Sequence, residues 1–287
     1  MRWFALAALL MSVVGAVNAV EVIDDAGRTV RLASPAQRIV SLAPHITELL
    51  FAAGAAGRVV GVSQFSDYPP EAAALPQVGG GAGVDLEAVL ALRPDLVVAW
   101  RSGNAAGQLQ QLERLGLTVF YSEPRVIDSI ATNLERLGRL SGTGARADEA
   151  AREFRRGVQT LRSNYAGRKP VTVFYQVWEH PLMTVNGAHL ISDWIRLCGG
   201  ENVFAGLSEL APAIDLEAVL QANPQVLVAG RYERAKDNWR RQWQRWPQMR
   251  AVADGHLYTV PAEMIARQTP RALIAVEQLC GYLEAAR

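Results

Sequence analysis

The sequence predicts an α/β protein of two lobes with mainly parallel sheets, joined by a long rigid helix, with a ligand cleft between the lobes. Three observations carry this. A helix-plus-strand pattern occurs twice, short apolar runs alternate with helical stretches in both halves, and a helical segment without any strand-like run separates the copies.

The first nineteen residues stand apart from the fold. Arg2 supplies a positive start, Phe4 to Val17 are nearly all apolar, and Val17-Asn18-Ala19 ends in small residues, the pattern of an export signal cleaved after Ala19. An uncleaved anchor is the alternative, but the run falls short of the ~20 residues a span needs. No cysteine follows to accept a lipid, so an exported chain starting near Val20 is expected.

Arg38 to Leu42 and Val59 to Val62 read as strands. Between them Ile46-Thr-Glu-Leu-Leu-Phe-Ala-Ala-Gly54 reads as a helix that stops at glycine, and Ile191-Ser-Asp-Trp-Ile-Arg-Leu-Cys-Gly199 echoes it. Asp85-Leu-Glu-Ala-Val-Leu-Ala-Leu-Arg-Pro-Asp-Leu-Val-Val-Ala-Trp-Arg101 returns as Asp215-Leu-Glu-Ala-Val-Leu-Gln-Ala-Asn-Pro-Gln-Val-Leu-Val-Ala-Gly-Arg231, identical at ten of seventeen positions. In each copy the aspartate suits an N-cap and the apolar residues fit one helical face. Pro94 or Pro224 forbids continuation, and Leu96 to Ala99 or Val226 to Ala229 forms a buried strand. Thr118 to Tyr121, Val171 to Gln176 and Leu257 to Val260 complete the strands.

From Ile127 to Tyr165 the chain is rich in Leu, Ala, Arg and Glu, interrupted only around Ser141-Gly-Thr-Gly144. It reads as one long helix with a break, and twenty helical residues span about 30 Å, enough to cross between lobes. The expected organisation is a signal at 1–19, a first lobe at 20–124, a connecting helix at 125–167 and a second lobe at 168–287.

Composition removes several functions. A formal charge of +1 leaves no general footprint for nucleic acid. Two cysteines cannot build a zinc-finger framework, and His45, His180, His189 and His256 are scattered without ligand spacing, so no bound metal is expected. Gly-x-Ser-x-Gly and His-Glu-x-x-His are absent. An exported enzyme is therefore the weaker reading against a receptor that binds without turnover and carries no cofactor. Gly79-Gly-Gly-Ala-Gly83 lacks the Lys-Ser/Thr of a phosphate loop and reads as a flexible cleft turn. Trp239, Trp243 and Trp246, in the basic segment Arg231 to Arg250, fall on one helical face and read as core. In an oxidising compartment Cys198 and Cys280 are expected to pair as a structural bridge, two separate buried thiols being the alternative.

Arg38-Ile-Val-Ser-Leu-Ala-Pro44, Thr47-Glu-Leu49, Ser66-Asp-Tyr-Pro-Pro70, Asp85-Leu-Glu87, Arg93-Pro-Asp-Leu-Val97 and Ala99-Trp-Arg101 resemble the periplasmic vitamin B12-binding proteins of ABC importers. These belong to the helical-backbone binding proteins, a superfamily that also carries siderophores, heme and metal ions. Leu197-Cys-Gly-Gly-Glu-Asn-Val-Phe204 and Pro270-Arg271 extend the resemblance over nearly the whole mature chain, and the cysteine pair falls where the family has its disulfide.

The resemblance implies a ligand held between two Rossmann-like lobes and a periplasmic, monomeric receptor presented to a membrane permease. Glu87 and Glu217 match the two surface glutamates that dock on the permease; a first-turn glutamate facing the helix dipole is the plainer reading of each. Phe65 replaces a family aromatic and Trp100 is retained, giving flat apolar surface for a planar ring system. Three positions that bear tryptophan in the family's B12 pocket are Gly81, Ala211 and Met264 here. Tyr175 and Trp178 are expected to compensate, with core burial as the alternative, and Met183 joins the set. Asp67 and Tyr68 sit in a rigid turn at the cleft. His45, at the start of the first helix, is expected to approach the cobalt or a polar edge of a corrinoid, against the plainer role of a helix-terminal histidine. Arg267 and Arg271 would bind corrin amides or a nucleotide phosphate, or else pair with Glu263, which is itself counted among the ligand-binding residues. The ligand this favours is cobalamin or another corrinoid. An iron chelate is the alternative, although heme wants a tyrosine or histidine ligand and a siderophore wants several converging arginines.

Overall fold

The computed structural model describes residues 19–80, 83–231 and 238–287. Residues 1–18, which hold most of the expected export signal, 81–82, including Gly81, and 232–237 of the tryptophan-bearing segment lie outside the described residues.

The described residues begin with an antiparallel hairpin that the sequence reading does not assign, β1 (Val20–Ile23) and β2 (Thr29–Leu32). Its strands are short, and only every second residue, Val22, Val30 and Leu32, is buried. The first lobe follows with β3 (Ile39–Ser41), α1 (Pro44–Ala52), β4 (Val59–Val62), the short pair β5 (Gly79–Gly80) and β6 (Gly83–Val84), α2 (Leu86–Ala91), β7 (Leu96–Trp100), α3 (Ala106–Arg114) and β8 (Val119–Ser122). After α4 (Ile127–Ser141) and α5 (Gly144–Tyr165) come β9 (Val171–Gln176), α6 (Leu190–Leu197), β10 (Gly200–Asn202), α7 (Leu216–Ala222) and β11 (Val226–Arg231). The chain ends with α8 (Trp239–Trp243), α9 (Arg250–Ala253), β12 (Leu257–Pro261), α10 (Ala262–Ile265) and α11 (Ala272–Ala285).

The internal repeat is architectural. The two main sheets, β4-β3-β7-β8 and β10-β9-β11-β12, are parallel throughout and match strand for strand. The helix stops match too: Gly54 and Gly199 adopt φ of 82° and 71°, and Arg93 and Asn223, each just before its proline, adopt φ of 44° and 42°. Asp85 caps α2 by accepting the Ala88 N–H at 3.0 Å, whereas Asp215 occupies the same place before α7 without a side-chain bond.

One apolar core runs through both lobes. Ile39, Leu49 and Val98 of the first, Leu134 and Phe154 of α4 and α5, and Val173, Trp194 and Leu279 of the second belong to a single cluster, while each sheet covers a smaller cluster on its outer face. The segment expected as one broken helix is a hairpin of two. Gly142 turns left-handed at φ 66°, and α5 runs back along α4, with Gly138 so close to Ala147 that an added Cβ would lie 2.2 Å from the alanine methyl. The crossing is therefore made by α5, about 33 Å long at 1.5 Å per residue. At its midpoint it meets the second lobe, where Phe154 packs on Trp194 edge-on at 6.4 Å.

Cys198, following α6, and Cys280, in α11, form a disulfide that is fully buried. It closes 82 residues of chain. The chain-entropy relation assigns such a loop about 4.5 kcal/mol of stability. The Cys198→Ala/Cys280→Ala variant is expected to unfold at a clearly lower urea concentration, and coincident unfolding curves would refute this.

Candidate functional site

In parallel α/β sheets the strand ends and the helix starts that follow them leave room for ligands at the carboxyl edge. In the first lobe this edge carries a cavity of about 520 Å³ bordered by Leu42, Phe65, Gly79, Val84, Trp100 and Gly103. Glycine opens it in two ways. Gly79 holds φ 131° in β5, which pairs antiparallel with β6, and a Cβ there would lie 2.3 Å from the Gly83 carbonyl oxygen. Gly103 lies flat on Trp100, where a Cβ would fall 1.8 Å from Cε3.

Trp100 ends β7 half-buried, its indole on the cavity. Asn104, which the sequence reading passed over, accepts the Trp100 backbone N–H at 2.8 Å and donates to the Leu42 carbonyl at 3.0 Å, fastening the loop across the sheet edge. His45 lies against the same indole, ring centroids 5.3 Å apart and edge-on. It is buried, with Nε2 unpartnered. Burial in the first place, and the Arg267 charge in the second, push its pKa down to about 3. His189 caps α6 by accepting the Ile191 N–H at 3.1 Å, and burial lowers its pKa to about 4.

Both histidines stay neutral in the fold while protonating near 6.5 when unfolded, so the unfolded state binds more protons below that pH. The stability they confer is complete above pH 6.5 and is lost as pH falls toward the folded values. For His45, lowering the pH from 7 to 5 should cost about 2 kcal/mol. In His45→Gln this part of the pH dependence should vanish from urea titrations at the two pH values; an unaltered difference would count against it.

Phe65 is left-handed at φ 65° and 66% exposed. Arg267 of the second lobe donates to its carbonyl oxygen at 3.1 Å and, through Nη1, to Asp67 at 2.8 Å. Arg271 stacks on the Tyr68 ring at 3.9 Å. The expected pairing of these arginines with Glu263 is corrected: Arg271 reaches only the Glu263 backbone oxygen, at 3.4 Å. Both converge instead on Glu48 in α1, which is buried. Glu48 accepts from Arg267 Nη1 at 2.8 Å, from Arg271 Nη2 at 2.7 Å and Nε at 3.2 Å, and from Thr269 Oγ1 at 3.0 Å. Burial works against the Arg267 charge, yet its bonds to Glu48 and Asp67 outweigh this and raise its pKa. Glu48 was passed over as a functional residue. The available signal was a carboxylate inside the apolar run Ile46 to Ala53, which must be buried with a partner or not at all.

On the second lobe Trp178 is 56% exposed, donates its indole N–H to the His180 carbonyl at 3.1 Å and bridges to half-buried Met183. Tyr175 does not share that surface. It is among the largest fully buried side chains and faces the common core, because strand alternation turns Phe174 and Gln176 the other way. Ala211 and Glu263 are half-buried, and Met264 packs on the core. Glu87 and Glu217 are exposed in the first turns of α2 and α7, without an ion pair among the described residues. Trp243 is buried, with Trp239 and Trp246 packed beside it, as expected of a core face. No group of three or more His, Cys, Asp or Glu that could hold a metal ion occurs among the described residues, nor does a helix long and apolar enough to cross a membrane.

Two parallel sheets, a helical connector and an open cleft edge define a bilobed binding protein. Residues 39–264 match the family model of periplasmic binding proteins, and the chain belongs to that family. It is 40% identical over 253 residues to the vitamin B12-binding protein of Vibrio cholerae, covering 88% of this chain and 91% of that one. It is 40% identical over 251 residues to the vitamin B12-binding protein of Yersinia pestis, covering 88% of each. The crystal structure of the periplasmic vitamin B12-binding protein of Vibrio cholerae superposes with a TM-score of 0.82 at 38% identity, covering 88% of this chain and 98% of that one. A periplasmic heme-binding protein from Roseiflexus has the same fold, with a TM-score of 0.77 at 22% identity over 88% of this chain and 99% of that one.

Proposed function

We propose that this chain is a soluble periplasmic receptor that binds cobalamin between its lobes and delivers it to the permease of an ABC importer, catalysing no reaction. One observation carries the choice of ligand within the family. The cleft edge offers exposed or half-exposed aromatic surface, Phe65, Trp100 and Trp178, while Arg267 and Arg271 are neutralised internally by Glu48 and Asp67. Flat apolar surface without a free cationic pair suits a large corrin ring bearing neutral amides, and suits the anionic edge of heme or a catecholate siderophore poorly.

In this reading residues 20–124 and 168–287 are the two lobes, 125–167 connects them, and the leader is removed after Ala19. The shared core and the Glu48 contacts hold the lobes with little hinge opening. Isothermal titration of the protein from Val20 onward with cyanocobalamin, with heme and a ferric siderophore as competitors, tests the function. Saturable one-to-one binding of cobalamin alone is expected. Binding of heme or siderophore in its place would overturn the ligand and leave the family standing.

Delivery rests on Glu87 and Glu217, which occupy equivalent, exposed places in the two repeats. Rim charges steer and register a partner more than they bind it. The variant Glu87→Arg/Glu217→Arg should keep cobalamin affinity and lose uptake in reconstituted importer vesicles; undiminished uptake would remove the docking role.

A further inference from the structure

The second lobe has a cavity of its own. It measures about 520 Å³, lies past the carboxyl end of β9 and is walled by Leu182, Leu216, Trp243 and Trp246. Like the first lobe's cavity it lies past the carboxyl end of the second strand of its sheet, where β9 holds the place that β3 holds in the other sheet. Glu179 and Arg245 also border it and bring one charge of each sign.

Gln176 sits on its wall, 5% exposed. Its Oε1 accepts the indole N–H of Trp239 at 2.8 Å and of Trp243 at 2.9 Å. An indole nitrogen only donates, so the oxygen must face both tryptophans and the amide cannot turn over. The nitrogen is thereby directed away from them. Nε2 has no hydrogen-bond partner among the described residues, yet it is not one of the buried polar atoms sealed without a partner, so it is accessible. A nearly buried side chain thus holds two oriented, unused N–H donors at a cavity, an arrangement that is costly unless something accepts from them.

We propose that this cavity is a recognition subsite in which Gln176 donates to a carbonyl oxygen of a neutral, carboxamide-bearing ligand. Trp239 and Trp243 act as positioning residues that lock the amide in its donating orientation. The subsite rests on the cobalamin reading, since the corrin periphery carries such amides. It explains how the lobe can grip a ligand although Tyr175 is in the core and Ala211 and Met264 supply no aromatic wall. A donor held in this way also discriminates, because a ligand without a matching acceptor leaves a buried amide unpaired.

Gln176→Glu tests this. The carboxylate still accepts from both indoles but replaces the N–H₂ group by an oxygen that repels a carbonyl. Cyanocobalamin affinity is expected to fall about 10- to 100-fold in a variant that remains folded by circular dichroism. Of the cyanocobalamin monocarboxylic acids, the isomer hydrolysed at the contacting amide should keep wild-type binding and lose more than the others in the variant. A second measurement does not depend on the variant folding. In ¹⁵N-labelled wild-type protein, the side-chain amide signals of Gln176, assigned through their proximity to the two indoles, should shift when cyanocobalamin saturates the site. Wild-type affinity in the variant, or unmoved amide signals at saturation, overturns the subsite alone. Absence of cyanocobalamin binding to the wild-type protein overturns the cobalamin reading and the subsite with it.

Discussion

Replacing Glu48 by alanine should lower the unfolding free energy by about 3–5 kcal/mol, because it leaves two largely buried cations without their buried counterion. The carboxylate accepts four hydrogen bonds from three residues of the second lobe, and it is nearly inaccessible to water. Arg267 would retain exposed Asp67 and the Phe65 carbonyl, but Arg271 would keep only the Tyr68 ring and a long contact to a backbone oxygen. Removing a pair altogether is often tolerated, whereas removing one member is not. Chemical denaturation at pH 7 measures the loss, and a change below about 1 kcal/mol would mean that water or a repacked side chain satisfies the arginines. The consequence reaches the ligand, since the same two arginines hold Phe65 and Tyr68 at the cleft. Glu48→Ala is therefore expected to weaken cobalamin binding as well, without touching the ligand itself.

The second large effect concerns Trp100. Its indole is the broadest flat surface on the first lobe's cavity, so Trp100→Ala should weaken cyanocobalamin binding by about 30-fold or more, the size associated with a central aromatic anchor. Gly103→Ala provides the complementary test. The new methyl would overlap the ring at 1.8 Å from Cε3 and must displace it, so affinity should drop although every aromatic remains. Equilibrium titration of both variants decides the matter. If Trp100→Ala binds within threefold of wild type, the first-lobe cavity is not where the corrin ring lies.

Local pattern proved enough for much of the architecture. Apolar runs bounded by proline and glycine placed seven strands of the two main sheets within a residue or two, because buried parallel strands must be apolar on both faces. The duplicated helix-plus-strand segment announced two matching sheets, since the same sequence faces the same packing problem twice. β10 escaped notice, as Gly200–Asn202 has no apolar run and gains strand character only from lying beside β9. The helical hairpin is not legible in the sequence for a similar reason: helix propensity reports that residues are helical, and the direction taken after Gly142 depends on Gly138 meeting Ala147.

The site divides along the same line. Aromatic identity marked Phe65, Trp100 and Trp178, which the fold exposes or half-exposes, the first two on the first lobe's cavity. It could not separate Tyr175 from Gln176, where one residue of strand register sends the phenol to the core and the amide to a cavity. Nor could it pair Glu48 with Arg267 and Arg271, more than two hundred residues away in sequence. Covalent neighbours set which segments form helix and strand. Partners across the cleft are set by packing, and the cost of burying a charge or an amide without a partner selects which of them meet.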